Sequence, residues 1–190
     1  SAFNNLNIKY KREIKPGEIL VFTKKGIESK IFSNKKMDPA FCGLEIAYLM
    51  RPDSRIEGIQ LDQIRRFLGK KLAEYYPPPK TIDFVTYIPE SAKSASEGYA
   101  ESLSQIWQKP ILSKTSILKN RYGNINGGIR GFISPNQNIR KEVAHGNYHP
   151  FEILKGKEIV LIDDSIIRGT TTKGVIQTIR QTVGDLRDGG

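Results

Sequence analysis

The sequence predicts an α/β fold built on a mainly parallel sheet, and two stretches carry that prediction. In residues 82–108 and again in residues 158–183, a short run of β-branched and apolar residues precedes apolar residues at spacings of three and four. The first pattern is typical of a buried strand and the second of an amphipathic helix. Strands that alternate with helices in this way indicate a parallel sheet with helices packed on it.

Length and composition agree with one such domain. The chain has 190 residues, of which 38% are hydrophobic, enough to bury a sizeable core. No apolar run reaches the length of a membrane-spanning helix, and no secretory signal pattern is visible. The single cysteine, Cys42, excludes an internal disulfide and any metal or iron–sulfur site built on several cysteines. We therefore expect a reducing, cytoplasmic location.

The net charge of +10 is spread along the chain. The lysines do not gather on one predicted helix or beside a platform of aromatic residues, as they do in many nucleic-acid-binding proteins. A generally basic surface suits a small polyanionic substrate equally well. We expect such a substrate as the partner, and neither a nucleic acid nor a membrane.

The first predicted element is a β-hairpin. Residues 18–23 (EILVFT) and 27–32 (IESKIF) have strand-like composition and flank the turn Lys24-Lys25-Gly26. A KPGE turn precedes the first strand. The pattern is compatible with an edge hairpin of the main sheet.

Residues 41–50 (FCGLEIAYLM) are mostly apolar and are compatible with a buried helix or a buried strand, with Cys42 in the packed core. An amphipathic helix is predicted next, over about residues 59–75, and the proline run 77–79 ends it. Its paired cations, Arg65-Arg66 and Lys70-Lys71, are predicted to be solvated. Its predicted inward residues are Leu61, Ile64, Phe67, Leu68 and Leu72.

A strand–loop–helix unit begins with residues 82–88 (IDFVTYI). The loop Pro89-Glu90-Ser91-Ala92 follows, and by its length alone it is an ordinary connection between a strand and a helix. The helix is predicted over about residues 94–108, with Gly98, Tyr99, Leu103 and Ile106 facing inward.

Residues 117–137 are rich in glycine and asparagine and are predicted to form a flexible loop. Lys119, Tyr122 and Arg130 lie in it, and cations with an aromatic residue suit a mobile lid over a polyphosphate. A disordered surface excursion has the same composition. Residues 140–150 (RKEVAHGNYHP) are predicted to be a surface loop.

The chemistry of the chain is concentrated in residues 157–173 (KEIVLIDDSIIRGTTTK), where a strand ends in Asp163 and Asp164. A hydroxyl-rich loop with Gly169 then leads into a helix that starts near Thr171. Free backbone N–H groups and the helix dipole make such a loop an anion site. The two carboxylates can accept hydrogen bonds from vicinal ribose hydroxyls, directly or around Mg²⁺. A plain corner with the aspartates capping the helix is the alternative, and neither common nucleotide-binding glycine motif is present.

IVLIDDSIIRGTT resembles the phosphoribosylpyrophosphate (PRPP) signature of the type I phosphoribosyltransferases, and Ser165 and Arg168 make it most similar to the glutamine PRPP amidotransferases. The resemblance implies the type I phosphoribosyltransferase fold, a mainly parallel sheet flanked by helices with a flexible lid loop. That fold continues with a strand after the last helix, and the C-terminal residues show none. Residues 1–36 resemble the end of the family's glutaminase domain, and residues 37–190 its phosphoribosyltransferase domain.

Three further segments carry the resemblance. FCGLEIAYLMRPDSRIEG resembles the family's CIFEYVYFARPDS, the 89–92 loop resembles VPDSG, and residues 119–132 resemble the lid sequence NRYVGRTFI. The chain departs from the pattern with Glu90 for aspartate, Ala92 for glycine, a longer lid and a poor match to the family's KLNP before residue 150. A Cβ at Ala92 is expected to hinder an unusual backbone turn.

The resemblance implies a role for each matching residue. Asp163 and Asp164 are expected to hold the ribose hydroxyls and Mg²⁺, with Glu90 as a further metal ligand. Lys119, Tyr122 and Arg130 are expected to close over the substrate as catalytic residues. The 5′-phosphate and the pyrophosphate are expected at the two loops, on Ser165, Ile166, Ile167, Arg168, Gly169, Thr170 and Thr171 and on Glu90, Ser91 and Ala92.

The implied reaction is that of an amidophosphoribosyltransferase, in which ammonia displaces pyrophosphate from C1 of PRPP in purine synthesis. The chain begins Ser1-Ala2-Phe3, without the first cysteine of the family's glutaminase, so we expect no glutamine hydrolysis here and a glutaminase on a separate subunit or domain. A homo-oligomer is also expected. The alternatives are transfer to another acceptor, such as a base, and a non-catalytic PRPP- or nucleotide-binding regulatory module.

Overall fold

The computed structural model describes residues 6–32, 40, 42–119, 147–166 and 169–184, and the structural statements below concern those residues. Their helices are α1 (Leu61–Tyr75), α2 (Lys93–Trp107) and α3 (Thr170–Val183), with a π-helical turn at Glu45–Leu49 and a 3₁₀ turn at Glu152–Leu154. Their strands are β1 (Glu18–Thr23), β2 (Gly26–Ile31), β3 (Arg55–Ile56), β4 (Ile59–Gln60), β5 (Phe84–Tyr87), β6 (Ile117–Lys119), β7 (Tyr148–Pro150) and β8 (Ile159–Ile162).

The parallel pair β5–β8 is the frame of the domain. Phe84 lies opposite Ile159 and Tyr87 opposite Ile162, so both strands end at the same edge. All four residues of β5 are buried, as the unbroken apolar run predicts. Each strand is followed by a loop and a helix, α2 after β5 and α3 after β8, as the sequence predicts.

Two buried clusters lie on the two faces of this pair. Val85 and Tyr87 of β5 pack with Leu103 of α2 in one cluster. Phe84 packs with Val175 of α3 in the other cluster. Because successive side chains of a strand point to opposite faces, β5 is covered by a helix on each side.

Helix α1 packs on α2 through small residues, which corrects the predicted inward face. Its buried residues are Leu61, Arg65, Gly69 and Ala73, whereas Phe67 is 57% exposed and Leu68 48% exposed. The reason is close contact between the two backbones. A Cβ built on Gly69 would lie 1.9 Å from the carbonyl oxygen of Ala95. Of the predicted inward residues, Leu61 is buried as expected, whereas the predicted burial of Phe67, Leu68 and Leu72 is wrong.

The segment before α1 also differs from its prediction. Residues Glu45–Leu49 form a short π-helical turn without buried residues, and Cys42 is exposed, so its predicted place in the core is wrong. Arg65 is buried although it was expected to be solvated, because the turn packs against its guanidinium. In α2, Gly98, Tyr99 and Leu103 are buried as predicted, but Ile106 is exposed.

Strands β6 and β7 replace two predicted loops. They pair antiparallel, with Ile117 opposite Pro150 and Lys119 opposite Tyr148. Ile117 and Tyr148 are buried in the cluster that also holds Phe84. This pairing is fixed by tertiary packing between distant segments, which a local sequence pattern does not report.

The N-terminal hairpin has the predicted form, with Glu18 opposite Ile31 and Thr23 opposite Gly26. In the described part of the chain it is a two-stranded sheet of its own and not an edge of the β5–β8 pair. The division into domains at residue 36 stays a prediction, as does the missing C-terminal strand, since residues 185–190 lie outside the described ranges. Among the described helices, none combines the length and the apolar character needed to cross a bilayer.

Candidate functional site

The acid pair at the end of β8 is held by a small network of hydrogen bonds. Asp163 accepts the N–H of Asp164 on Oδ1 and the hydroxyl of Thr172 on Oδ2, both at 2.9 Å. Asp164 accepts the hydroxyl of Ser165 on Oδ1, also at 2.9 Å. The network ties the strand end to the first turn of α3, so both carboxylates have fixed positions at this corner.

The loop after the acid pair meets α3 at Gly169. This residue has φ of 66° and ψ of 3°, a left-handed conformation that glycine adopts without strain. No side chain of the described residues caps the helix, so the predicted alternative, a plain corner capped by the aspartates, does not describe this geometry. The first N–H groups of an α-helix have no intrahelical partner, so the start of α3 has the donors of an anion site.

Burial makes the ionised form of Asp163 unfavourable. Burial raises the pKa of the Asp163 carboxyl, and the neighbouring charge of Asp164 acts in the same direction. The hydrogen bonds from Thr172 and from the N–H of Asp164 oppose this shift. A ligand that supplies hydroxyl donors or a cation would therefore be stabilised here.

The second predicted loop lies at the same edge of the sheet. The N–H of Ile88 donates to the carbonyl oxygen of Ile162 at 2.9 Å, so the residues just after β5 and β8 lie side by side. The Pro89–Glu90 peptide bond is cis. Ala92 is buried with φ of −79° and ψ of −3°, a right-handed conformation, so its Cβ does not strain its own backbone, and the expected hindrance of the loop stays a prediction.

A cavity of about 680 Å³ opens beside the 89–92 loop. Glu90 and Lys119 both line it, which brings together one predicted pyrophosphate residue and one predicted lid cation. Its α1–α2 wall carries Arg66, which is ion-paired with Asp62 at 3.1 Å and with Glu97. The cavity wall thus offers charged groups of both signs.

The sequence did not identify Tyr148 as a residue of this region. Burial raises the pKa of its phenol to about 12, and the charges of Asp163 and Asp164 act in the same direction, so the ring lies within their field. The Nζ of Lys119 lies 5.9 Å from the centroid of the same ring. Tyr148 thereby connects the acid pair with the cavity. No local sequence pattern identifies Tyr148, because its neighbours have no strong strand pattern.

Arg65 is a second residue that the sequence did not identify. Its Nε donates to the carbonyl oxygen of Ile46 and its Nη2 to that of Met50, both at 2.9 Å. Burial lowers the pKa of this guanidinium, and the charges of Asp164 and Asp62 oppose that shift. The spacing of four that joins Leu61, Arg65, Gly69 and Ala73 was the signal for this buried face.

The remaining predicted site residues are placed as follows. Ser165 and Ser91 are half-buried, and Ile166, in the loop after Asp164, is exposed. Thr170 and Thr171 form the first turn of α3. Thr172, absent from the prediction, binds Asp163 from the same turn. Four predicted residues, Tyr122, Arg130, Ile167 and Arg168, lie outside the described residues.

The donor set at the acid pair fits Mg²⁺ better than a metal held entirely by protein. In the described ranges, no group of three or more His, Cys, Asp or Glu side chains is placed to hold a metal ion. Mg²⁺ commonly takes one or two carboxylates and completes its coordination with waters and substrate phosphates. Asp163 and Asp164 supply two such carboxylates, directly before the loop that leads into α3.

Comparisons with known proteins agree with the predicted family, although no family model matches the chain. The chain is 35% identical to an amidophosphoribosyltransferase of Bacillus subtilis over 181 residues, which are 95% of this chain and 35% of that protein. It is also 35% identical to the amidophosphoribosyltransferase of Synechococcus elongatus over 172 residues, 90% of this chain and 32% of that protein. It therefore spans about a third of the length of the curated relatives it matches.

Solved structures give the same result. An allosteric regulatory enzyme of purine biosynthesis matches with a TM-score of 0.72 and 35% identity, covering 95% of this chain and 36% of that one. The glutamine PRPP amidotransferase of B. subtilis, complexed with ADP and GMP, matches with a TM-score of 0.70 and 35% identity, covering 95% of this chain and 37% of that one. The predicted family resemblance and the predicted fold are both confirmed, and the predicted class of enzyme is that of the relatives.

Proposed function

Because the chain is homologous to the amidophosphoribosyltransferases along about a third of their length, we propose that it is a phosphoribosyltransferase domain that uses PRPP and Mg²⁺. In the proposed reaction the nitrogen lone pair of ammonia forms a bond to C1 of PRPP. The bond from C1 to the pyrophosphate oxygen breaks, and pyrophosphate leaves with that electron pair. The ammonium product loses a proton to solvent, which gives phosphoribosylamine with inverted configuration at C1.

The meeting of two loops at one sheet edge is the observation that supports this proposal most directly. The acid pair follows β8, the 89–92 loop follows β5, and the hydrogen bond from Ile88 to Ile162 keeps the two strand ends together. Ligands of parallel sheets bind at the carboxyl ends of the strands. A sugar with a phosphate on one side and a pyrophosphate on the other would contact both loops at this edge.

The chain's own residues would act mainly by positioning and by balancing charge. Asp163 and Asp164 would accept hydrogen bonds from the ribose hydroxyls and face the ring as positive charge develops on it. Ser165 and the N–H groups that begin α3 would hold the 5′-phosphate. Glu90, Ser91 and Ala92 would hold the pyrophosphate, and Lys119 would offset the charge that it gains.

Mg²⁺ would supply positive charge beside the phosphates, held by Asp163 and Asp164 directly or through water, with Glu90 as a further ligand. A homo-oligomer, a cytoplasmic location and a glutaminase on a separate subunit or domain also belong to this proposal. The basic surface, with a net charge of +10, would attract a polyanionic substrate.

The test is pyrophosphate release from PRPP and Mg²⁺, with ammonia, glutamine or a nucleobase added in turn. We expect release with ammonia but not with glutamine. The double variant Asp163→Asn/Asp164→Asn should lose that release. A matched control is Asp83→Asn, because Asp83 is a surface carboxylate paired with Lys157 at 3.0 Å and lies away from the two loops.

Each other outcome has a definite meaning. Release only with a nucleobase would identify a different phosphoribosyltransferase. Binding of PRPP or a nucleotide by calorimetry, without release in the presence of any acceptor, would contradict catalysis and identify a binding module. Equal loss in Asp83→Asn would show that the double variant acts through folding and not through the site.

A further inference from the structure

We propose that Tyr148 is a positioning residue for Lys119: its ring holds the lysine ammonium at the cavity wall, where the ammonium binds the pyrophosphate group of the substrate. This inference rests on the proposed function, because it assumes that a polyphosphate occupies the cavity. Tyr148 lies in the segment that follows the family's KLNP pattern poorly. The contact between Tyr148 and Lys119 is therefore proposed for this chain and is not taken from the family pattern.

The backbone brings the two residues together first. Lys119 and Tyr148 lie directly opposite each other in the β6–β7 pair, where side chains on the same face contact across the strands. The Nζ of Lys119 lies 5.9 Å from the centroid of the Tyr148 ring. This distance is within the range at which the negative face of an aromatic ring attracts an ammonium group.

The ring is fixed, whereas the lysine is not. Tyr148 is 8% exposed and packs in one cluster with Phe84 of β5 and Val175 of α3, the elements that carry the two ligand loops. Lys119 is exposed, and an exposed lysine samples many rotamers. An ammonium held on a fixed ring keeps a defined position relative to the 89–92 loop and the loop after Asp164. Because it is already ordered, it loses less conformational entropy when it binds a phosphate.

The chemistry of the ring suits this role. Burial keeps the phenol protonated, with a pKa of about 12, so the ring is neutral at every pH at which the enzyme would work. Lys119 also lines the cavity that Glu90 lines. The ammonium is thus held on the cavity wall by a ring on which the charges of Asp163 and Asp164 also act.

The experiment is a double-mutant cycle in the full chain, read as the Kd for PRPP by calorimetry with Mg²⁺ and as KM for PRPP. The variants are Tyr148→Leu, Lys119→Met and the double variant. We expect Tyr148→Leu to weaken PRPP binding between about threefold and tenfold, the range of a cation–π contact. The double variant should be no weaker than Lys119→Met alone, because Tyr148 acts through Lys119.

A matched control removes another ring from the same cluster. Phe84 is buried and has the Nζ of Lys114 at 5.0 Å from its ring, but Lys114 does not line the cavity. Phe84→Leu should lower stability without a comparable change in PRPP affinity. Tyr148→Phe retains the ring and should bind PRPP more tightly than Tyr148→Leu. If Tyr148→Leu does not fold, Tyr148→Met, which preserves most of the volume, takes its place.

Three results would overturn this inference without affecting the proposed function. The first is that the losses of PRPP affinity in Tyr148→Leu and Lys119→Met simply add in the double variant. The others are that Tyr148→Leu loses no more PRPP affinity than Phe84→Leu, or no more than Tyr148→Phe. Each would show that Tyr148 acts by packing or by its hydroxyl and not through Lys119. A wild-type chain that neither releases pyrophosphate nor binds PRPP would instead overturn the proposed function, and this inference with it.

Discussion

Asp163 sits at the end of β8 with its carboxylate partly removed from water, and burial raises the pKa of that group above its ordinary value of 3.8. A raised carboxyl pKa means that the folded protein binds this proton more readily than the unfolded chain. The ionised form therefore destabilises the fold at neutral pH. A site that binds a sugar phosphate gains from this arrangement, since ligand hydroxyls or a cation stabilise the charge.

We expect Asp163→Asn to raise the melting temperature near pH 7 while it abolishes PRPP binding. The amide can still accept the N–H of Asp164, and its own N–H can donate to the hydroxyl of Thr172, so the bonds now at 2.9 Å have replacements. Below pH 3.8 the wild-type carboxyl is protonated in both states, so the gain should shrink as pH falls toward 4. Thermal unfolding at several pH values measures this.

The control for that pH series is Asp83→Asn, for which the sign is opposite. The Lys157 ammonium and the N–H of Glu158 hold the pKa of the Asp83 carboxyl below its ordinary range. The ionised form of Asp83 stabilises the fold above that range, and this contribution is lost as pH falls through the lowered pKa. The substitution should lower the melting temperature slightly at neutral pH. A higher melting temperature for both variants at neutral pH would show that loss of any negative charge stabilises the protein, and not the burial of Asp163 in particular.

Single residues also mark how far the sequence could predict the site. Asp163, Asp164 and Gly169 follow from local order alone, because a strand, an acid pair and a loop into a helix lie within a few consecutive residues. Arg65 and Tyr148 did not, since their roles depend on partners distant in sequence, such as the carbonyl of Ile46 and the ring contact with Lys119. The spacing of four that Arg65 shares with Gly69 and Ala73 marks one face of a helix, but it does not show that this face is buried.

At the scale of elements, the α1–α2 contact shows how two glycines set a helix packing. A Cβ built on Gly98 would lie 2.1 Å from the carbonyl oxygen of Arg66 and 2.8 Å from its carbon. These are backbone atoms, so no side chain can move to make room. The helices must either touch at this point without a Cβ or separate.

We expect Gly98→Ala to lower the free energy of unfolding by about 1–3 kcal/mol, the typical cost of overpacking a core. This loss should appear even though alanine is favoured over glycine inside a helix by about 1 kcal/mol. Urea unfolding measures it. Gly43→Ala is the control, because a Cβ there meets no atom within 4 Å. Equal effects at both positions would contradict the packing argument.

The same contact explains why the face of α1 was mispredicted. The rule that large apolar residues face inward selects Leu61, Ile64, Phe67, Leu68 and Leu72. Leu61 is buried, but Phe67, Leu68 and Leu72 are exposed. The helix instead buries the row Leu61, Arg65, Gly69 and Ala73, in which small residues allow the backbones to meet. Periodicity predicted the existence and extent of the helix, but the side it buries depends on the partner's glycine.

At the scale of the whole molecule, the parallel β5–β8 pair could be predicted and the β6–β7 pair could not. Each strand of the parallel pair is followed by its own helix, so local patterns in two stretches were sufficient. Residues 117–119 and 148–150 pair across a long sequence separation, and neither segment has a strong strand pattern. Their pairing places Lys119 at the cavity. The family resemblance names Lys119 as a site residue, but no local pattern predicts the strand that carries it.

Arg65 connects the segment before α1, helix α1 and the acid pair. Its backbone lies in α1, and its guanidinium donates to the carbonyl oxygens of Ile46 and Met50. The charge of Asp164 also acts on this guanidinium. We expect Arg65→Met to lower the free energy of unfolding by about 1–3 kcal/mol, since it leaves partly buried carbonyl acceptors of Ile46 and Met50 unpaired. Arg65→Lys can restore at most part of this, because an ammonium lacks the planar fork that reaches both carbonyls. Urea unfolding of the three proteins measures the order.

The control for this series is Arg55→Met. Arg55 also donates to a carbonyl oxygen, that of Gly58 at 2.8 Å, but on an exposed turn where water replaces the lost donor. Its loss should change the free energy of unfolding by less than about 0.5 kcal/mol, as is usual for surface substitutions. If the two methionine variants lose the same stability, burial of Arg65 is not what makes it important. A larger loss in Arg65→Met alone would identify it as the residue that fixes the segment before α1 to the rest of the domain.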